Sequence, residues 1–135
     1  MPLVVDASIA LAFPLGEAHP GIVATLRRVL EDEWTVPSVW WFEVRNGLIV
    51  NERRGRLTEQ MVGMALQELS QTAVTLDRSP DESIIMALAR RHRLTFYDAA
   101  YLELALRERL ALATLDRALA EAAQREGVEV LGSAA

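Results

Sequence analysis

Leu3-Val4-Val5-Asp6 sets the pattern of this chain, because a short apolar run ends there in an acidic residue. Three other apolar runs end in the same way, at Glu43, Asp98 and Asp116. A carboxylate drawn towards a low-dielectric core is costly unless protons, arginines or a metal ion neutralise its charge. The first question that the chain poses is therefore what balances four such charges.

The composition bounds the class of protein. The chain has 135 residues, 51% of them hydrophobic, and a net charge of −5. That length fits one compact domain that buries roughly two-thirds of its unfolded surface, so we expect a single domain over residues 1–135. The lack of cysteine excludes disulfides, and the lack of lysine excludes Schiff-base and P-loop chemistry. Without a signal peptide or a membrane-spanning stretch in the sequence, we expect a cytoplasmic protein.

Short β-branched runs alternate with longer amphipathic stretches along the chain. Such alternation implies crossover connections between parallel strands and helices on both faces of the sheet, which is an α/β fold. Strands are predicted near residues 2–5, 34–36, 73–76, 111–114 and 128–131. Helices are predicted near residues 20–31, 38–53, 58–71, 81–92, 98–107 and 117–125. Residues 94–97 are interpreted as a buried connector.

Three of the acids have an ordinary structural explanation, because Asp6, Asp98 and Asp116 stand where helices are expected to begin and aspartate is a favoured N-cap. Glu43 lies too far into its helix to be a cap. Asn46 lies three residues later on the same helix face, so we expect the pair to face inward or into a cleft. Asp77 also ends a strand, but one at the periphery of the sheet, where a cap or a surface charge is expected.

Topology gives the four acids a possible meeting place. In an open parallel sheet, ligands bind outside the carboxyl ends of the strands, where the strand order reverses. Asp6 and Asp116 follow strands directly, and Glu43 and Asp98 lie early in helices that can border the same edge. If the first and fourth strands are neighbours, all four acids can meet at that edge.

Several fragments resemble, in order and in spacing, the PIN-domain ribonucleases, and among these the toxins of VapBC toxin–antitoxin modules. The fragments are residues 4–8, 37–38, 43–48, 97–105 and 113–116. Each is weak alone, whereas the ordered set is specific and spans nearly the whole chain. The resemblance implies a three-layer α/β/α fold around a parallel sheet of four to five strands in the order 3-2-1-4-5. Gly47 is a departure from the family pattern. It is also unfavourable in a helix, because glycine there costs about 1 kcal/mol relative to alanine.

The resemblance also implies a function and a site. The acidic metal site would consist of Asp6, Glu43, Asp98 and Asp116. Supporting contacts would come from Ser8, Asn46 and Thr114. Oxygen ligands suit Mg²⁺ or Mn²⁺ rather than zinc, and the implied reaction is metal-assisted hydrolysis of RNA phosphodiester bonds. The implied partners are the RNA substrate, a cognate small antitoxin protein and a second copy of the chain.

Two arginine clusters are candidates for contacts with RNA phosphates. Their members are Arg53, Arg54 and Arg56, and Arg90, Arg91 and Arg93. The alternative is that these arginines only complement helix dipoles. His19 and His92 are expected at the surface, so a ribonuclease mechanism built on two histidines is not expected.

Two adjacent helices carry more apolar surface, at residues 40–42 and 61–69, than one sheet face requires. We expect most of it in the core and the surplus in a groove for a partner helix or a homodimer contact. Phosphoacceptor receivers and aspartate-based phosphatases also gather acids at strand ends, but they ordinarily use a lysine, which this chain lacks. The alternative function is a catalytically silent PIN-like module that binds RNA or protein.

Overall fold

Five strands alternate with seven helices in the computed structural model, which describes residues 1–16 and 20–132. The strands are β1 (Leu3–Val5), β2 (Trp34–Val36), β3 (Val74–Leu76), β4 (Leu112–Ala113) and β5 (Val130–Leu131). The helices are α1 (Ala7–Leu15), α2 (Pro20–Glu31), α3 (Val39–Arg53), α4 (Glu59–Ser70), α5 (Glu82–His92), α6 (Phe96–Glu108) and α7 (Arg117–Arg125). His19 lies outside the described residues. Within those residues, no helix combines the length and the apolar character needed to cross a bilayer.

All four strand pairs are parallel, and the order across the sheet is β3-β2-β1-β4-β5. The central strand is β1, in which Val4 is in register with Thr35 of β2 on one side and with Leu112 of β4 on the other. The chain winds outward from β1 to β3 and then returns to β4. The predicted order is confirmed, and the point where the order reverses lies between β1 and β4.

The helices form two layers. Helices α1, α3 and α4 contact one another, and α6 contacts both α5 and α7. Crossovers between parallel strands are right-handed, so the helices between β1 and β3 cover one face of the sheet and those between β3 and β5 cover the other. Every residue of β1 is buried, as a strand enclosed between two helical layers requires. The predicted three-layer α/β/α fold is confirmed.

Helix α1 is not among the predicted helices, although the sequence places a helix start at Asp6. Apart from Ser8, all residues of α1 are non-polar, so no polar face produces the 3.6-residue period on which the prediction depends. Pro14 inside the helix weakens the pattern further. Both ends of α1 have common caps. Asp6 is the N-cap and accepts a hydrogen bond from the backbone N–H of Ile9, and Gly16 is the C-cap at φ 64°.

The interpretation of residues 94–97 as a buried connector is wrong. Thr95 is the N-cap of α6, and its Oγ1 accepts a hydrogen bond from the backbone N–H of Asp98 at 3.1 Å. Phe96 and Tyr97 form the first turn of the helix and are exposed. Asp98 therefore lies in that first turn and does not cap the helix, so N-capping does not explain its carboxylate.

Two residues expected at the surface have largely buried side chains and contact a partner of opposite type instead, an acid for His92 and an arginine for Asp77. The His92 side chain is only 6% exposed, and its Nε2 lies 2.6 Å from Glu126 Oε2. Asp77 follows the edge strand β3 as expected, but its Oδ2 lies 2.6 Å from Arg107 Nη2. Both partners come from distant parts of the chain, so local pattern gave no sign of them.

Candidate active site

The four acids lie at the carboxyl-terminal edge of the sheet. Asp6 follows β1, and Asp116 follows β4 and caps α7 through a hydrogen bond from the Leu119 N–H to Oδ1 at 2.9 Å. Glu43 lies in the second turn of α3, and Asp98 lies in the first turn of α6. Two strand ends and two helix starts thus bring together carboxylates that are up to 110 positions apart in the sequence.

The charges of the four carboxylates act on one another in pairs. Burial is the main cause that raises the pKa of Asp98, and the charge of Asp116 raises it further. Burial likewise raises the pKa of Glu43, with an added contribution from the charge of Asp98. Asp116 also acts on Asp6. Charge therefore couples Asp6 to Asp116, Asp116 to Asp98, and Asp98 to Glu43.

Asp6 is held by more hydrogen bonds than the other three acids. Ser8 Oγ donates to its Oδ1 at 2.5 Å, and Thr114 Oγ1 donates to its Oδ2. The Asp6 side chain is buried, and burial raises its pKa to about 6 although the hydrogen bonds from Ser8, Thr114 and Ile9 lower it. A nearby cation would favour the charged form that burial disfavours.

Ser8 and Thr114 connect the end of β1 to the end of β4. Ser8 Oγ accepts a hydrogen bond from the backbone N–H of Leu115 at 2.9 Å, and Thr114 Oγ1 accepts one from the N–H of Asp116 at 3.0 Å. Each hydroxyl therefore accepts from the β4–α7 connection and donates to Asp6. This double link fixes the Asp6 carboxylate relative to Asp116.

Tyr101 belongs to the site, although it is not among the residues named from the sequence. Its ring is buried, and its hydroxyl donates to Glu43 Oε1 at 2.6 Å. Burial raises the pKa of Tyr101 far above its ordinary value, and the hydrogen bond to Glu43 adds to the effect, so the phenol stays a donor. Its spacing of three residues from Asp98, on one helix face, is the sequence signal that could have identified Tyr101.

The family model of the PIN domain matches residues 3–125. The chain belongs to the PIN-domain family. Ribonuclease VapC3 of Pyrobaculum aerophilum is 35% identical over 124 residues, which cover 90% of this chain and 94% of that protein. Ribonuclease VapC3 of Mycobacterium tuberculosis is 36% identical over 121 residues, which cover 89% of this chain and 86% of that protein. The resemblance to VapC-type PIN proteins is confirmed.

A solved structure shares the fold. A chain from the structure of VapBC2 of Rickettsia felis bound to a promoter DNA fragment superposes with a TM-score of 0.66. The match covers 96% of this chain and 97% of that chain. At 9% identity, this likeness shows the fold alone. The two chains thus share a fold at very low sequence identity.

Asn46 and the arginines are placed differently from the acids of this PIN domain. Asn46 is exposed on α3, and no hydrogen bond among the described residues joins it to Glu43. Arg53 lies ten residues beyond Glu43, which is about 15 Å along the helix axis. Arg91 is exposed and its Nη1 lies 2.7 Å from Glu126 Oε2. The structure gives no contact between any of the six candidate arginines and the four acids within the part of the chain that it describes.

The donor set of this PIN domain consists of oxygen atoms. In residues 1–16 and 20–132, no three acidic or histidine side chains stand close enough together to hold a metal ion as they are now oriented. Burial raises the pKa values of Asp6, Glu43 and Asp98, and neighbouring carboxylates add to the effect, so a bound cation would favour the charged forms of these acids. Carboxylate and hydroxyl oxygens are hard ligands, and Mg²⁺ usually keeps several of its waters. The donor chemistry therefore fits Mg²⁺ or Mn²⁺, with part of the coordination through water.

Proposed function

We propose that this PIN domain is a metal-dependent endoribonuclease and the toxin of a type II toxin–antitoxin pair in the cytoplasm. The observation that carries the proposal is the convergence of Asp6, Glu43, Asp98 and Asp116 at the point where the strand order reverses. Two relatives that match about nine-tenths of the chain and are named ribonucleases support the same activity.

The residues of the site have separate proposed roles. Asp6, Asp98 and Asp116 would hold Mg²⁺ or Mn²⁺ directly or through water, and Glu43 would ligate the ion or accept the proton of the attacking water. A bound ion supplies a water of lowered pKa and stabilises negative charge on the phosphate. Tyr101 holds the Glu43 carboxylate in one orientation through its hydroxyl. The raised pKa of Glu43 brings it nearer to the range that suits a general base.

The proposed antitoxin would cover exposed apolar surface on α3 and α4. The expectation that most of this surface lies in the core is wrong, because Trp41, Phe42 and Met64 are 45%, 67% and 56% exposed. The Arg45 guanidinium lies 4.2 Å from the centroid of the Trp41 ring, so a basic group borders the patch. Exposed apolar surface of this kind suits an amphipathic helix of a partner or a second copy of the chain.

The alternative function is a catalytically silent module that binds RNA or protein. Two observations favour it, namely the exposed apolar surface on α3 and α4 and the present spacing of the acids, of which no three in the described residues can hold an ion together. The retention of all four acids together with the hydrogen bonds that orient Asp6 and Glu43 favours the nuclease over this alternative.

Cleavage assays with matched aspartate variants test the ribonuclease. Structured RNAs are incubated with the purified protein in Mg²⁺, in Mn²⁺ or in EDTA. Asp116→Asn removes a site charge but keeps a good N-cap, because asparagine caps as well as aspartate. Asp81→Asn is the control, since Asp81 caps α5 through the Ile84 N–H at 3.2 Å and lies outside the acidic site.

We expect metal-dependent cleavage by the wild type and by Asp81→Asn, and a loss of at least about 100-fold in Asp116→Asn, which is typical of removing one group that stabilises charge in a transition state. Cleavage that persists in EDTA would exclude metal dependence. RNA binding without cleavage across the panel would instead establish the silent module.

Expression in cells tests the toxin assignment separately. Wild-type protein is expected to arrest growth, co-expression of a small protein encoded beside it is expected to relieve the arrest, and Asp116→Asn is expected to be harmless at equal abundance. Normal growth at high expression of a protein that cleaves RNA in vitro would leave the nuclease standing and reject the toxin.

A further inference from the structure

A cleft of about 230 Å³ opens between the starts of α3 and α6, the helices that carry Glu43 and Asp98, and two exposed aromatic side chains line it. Phe96 is 42% exposed and Tyr97 is 56% exposed. Both lie in the first turn of α6, directly before Asp98. The core beneath this turn is filled by Ala99 and Tyr101, which are 0% and 1% exposed, so packing of the fold does not require the two outward rings.

The cleft lies between the two helices that carry acids of the site. One wall is the start of α3, where Ser38 and Val39 precede Glu43. The opposite wall is the start of α6, where Phe96 and Tyr97 precede Asp98. Val39 is four residues from Glu43, which is about 6 Å along the helix axis. A group in the cleft is therefore about one helical turn from carboxylates of the proposed catalytic site.

The chemistry of the walls suits an uncharged ring. Among the described residues that line the cleft, Asp77 carries the single charge, and its two carboxylate oxygens lie 2.6 and 3.2 Å from Arg107, which also pairs with Glu103. None of the lining residues in the described part of the chain is basic, so the cleft offers no positive charge to a phosphate. The exposed Ser38 begins α3 without making a side-chain cap hydrogen bond, so its hydroxyl is available to the polar edge of a ligand.

We propose that this cleft is a nucleobase subsite that takes one unstacked base of the RNA, beside the phosphate to be cleaved, with the base stacked on the Tyr97 ring. The inference rests on the ribonuclease function proposed above. Sequence-specific recognition of RNA usually targets unstacked bases, which stack on aromatic side chains and offer their edges to hydrogen-bonding groups. Tyr97 would supply the stacking face and Ser38 a hydroxyl for the base edge, so the cleft would set the base preference at one position near the cut.

Cleavage of a pool of hairpin RNAs with a randomised single-stranded loop tests the subsite. Cut positions are identified by sequencing after incubation with the full chain in Mn²⁺. The wild type is expected to show a base preference at one loop position next to the cut. Tyr97→Ala is expected to lose that preference and to lower kcat/KM by about 5- to 150-fold, as the usual strength of base–aromatic stacking requires. Tyr97→Phe keeps the ring and is expected to keep the base preference and the wild-type kcat/KM.

A matched control and a modified RNA separate stacking from general damage. Leu30→Ala removes another exposed apolar side chain, 69% exposed on α2 and away from the cleft, and is expected to behave as the wild type. One RNA from the pool is then prepared without the base at the preferred position. Wild type and Tyr97→Ala should cut this RNA at equal rates, because the proposed stacking partner is absent.

The outcomes distinguish the subsite from the function on which it rests. If Tyr97→Ala cuts the pool with wild-type preference and rate, the subsite is wrong and the ribonuclease stands. If the wild type and Tyr97→Ala cut the RNA that lacks the base at different rates, Tyr97 does not act by stacking on that base, and the subsite is also wrong. If the wild type cuts no member of the pool, the ribonuclease and the subsite fall together.

Discussion

Asp6 combines structural and proposed catalytic roles in one carboxyl group. It caps α1, it accepts hydrogen bonds from Ser8 and Thr114, and burial still raises its pKa to about 6. The folded protein thus holds a charge at neutral pH that its surroundings disfavour. Such local cost is typical of functional sites, where activity and stability conflict.

Asp6→Asn is therefore expected to stabilise the metal-free protein at pH 8. Because folding raises the pKa of Asp6 from 3.8 to about 6, the stability that this group contributes is complete below pH 4 and is lost as the pH rises through 6. The loss amounts to about 3 kcal/mol at most, at 1.36 kcal/mol for each pKa unit. Urea unfolding in EDTA at several pH values should show the variant's advantage shrinking from pH 8 to pH 4. An advantage that does not vary with pH would contradict the raised pKa.

Tyr101→Phe tests whether the tyrosine hydroxyl positions and tunes Glu43. The hydrogen bond from Tyr101 lowers the pKa of Glu43 against the effect of burial, so its removal is expected to raise that pKa. If Glu43 acts as the base, the rise of kcat/KM with pH should then occur at higher pH than in the wild type. At neutral pH we expect a loss of roughly 10-fold, in line with a hydrogen bond to a charged group. An unchanged pH profile at reduced activity would mean that Tyr101 is merely structural.

At the scale of elements, sequence predicted those helices that have one polar face and failed where this signal is absent. The bounds of α2 and α7 agree with the prediction, because the sequence of each helix has one polar and one apolar face. Helix α1 has no polar face, and the start of α6 looks locally like a strand because Thr95, Phe96 and Tyr97 all favour β-structure. The N-cap formed by Thr95 therefore outweighs the local preference of these residues for β-structure.

Gly47 shows a packing demand that periodicity does not reveal. A Cβ at this position of α3 would collide with Leu11 Cδ1 and lie 3.0 Å from Cδ2, so the absence of a side chain lets α1 and α3 pack closely. Gly47→Ala is expected to destabilise the protein by up to about 2 kcal/mol, because overpacking costs about 1–3 kcal/mol and only about 1 kcal/mol is gained in helix propensity.

A double-mutant cycle with Leu11→Ala isolates this contact. The double variant is expected to be more stable than the sum of the two single changes predicts, with a coupling energy of about 0.5–3 kcal/mol. Free energies of unfolding from urea titrations measure the coupling. Additive effects would show that Leu11 is not what restricts residue 47.

For the whole molecule, the sequence predicted the edge at which the acids meet but not the contacts that orient them. The strand order follows from the resemblance to PIN domains, and strand ends followed by acids mark the edge. Tyr101 meets Glu43 across 58 positions, and Arg107 meets Asp77 across 30. Contacts of this kind depend on the packing of α6 against the rest of the fold, which no local pattern encodes.

A single domain over residues 1–135 remains a prediction that unfolding can test. Since the core cluster includes buried residues from β1, β2 and β4 and from most of the helices, heating should melt the fold in one transition. Calorimetric and van't Hoff enthalpies are then expected to agree, as they do for small two-state domains. Two resolved transitions would divide the chain into separately folding parts.

Metal binding should stabilise this entire fold, because its proposed ligands come from the ends of two strands and the starts of two helices in both halves of the chain. An ion that binds only the folded state stabilises it by about 2.7 kcal/mol at 100 times its dissociation constant. Mn²⁺ is therefore expected to raise Tm by several degrees in the wild type and in Asp81→Asn, but not in Asp116→Asn. The two substitutions remove the same charge from the same kind of cap and differ only in whether that charge belongs to the acidic site. Equal shifts of Tm in both variants would therefore mean that the ion binds elsewhere.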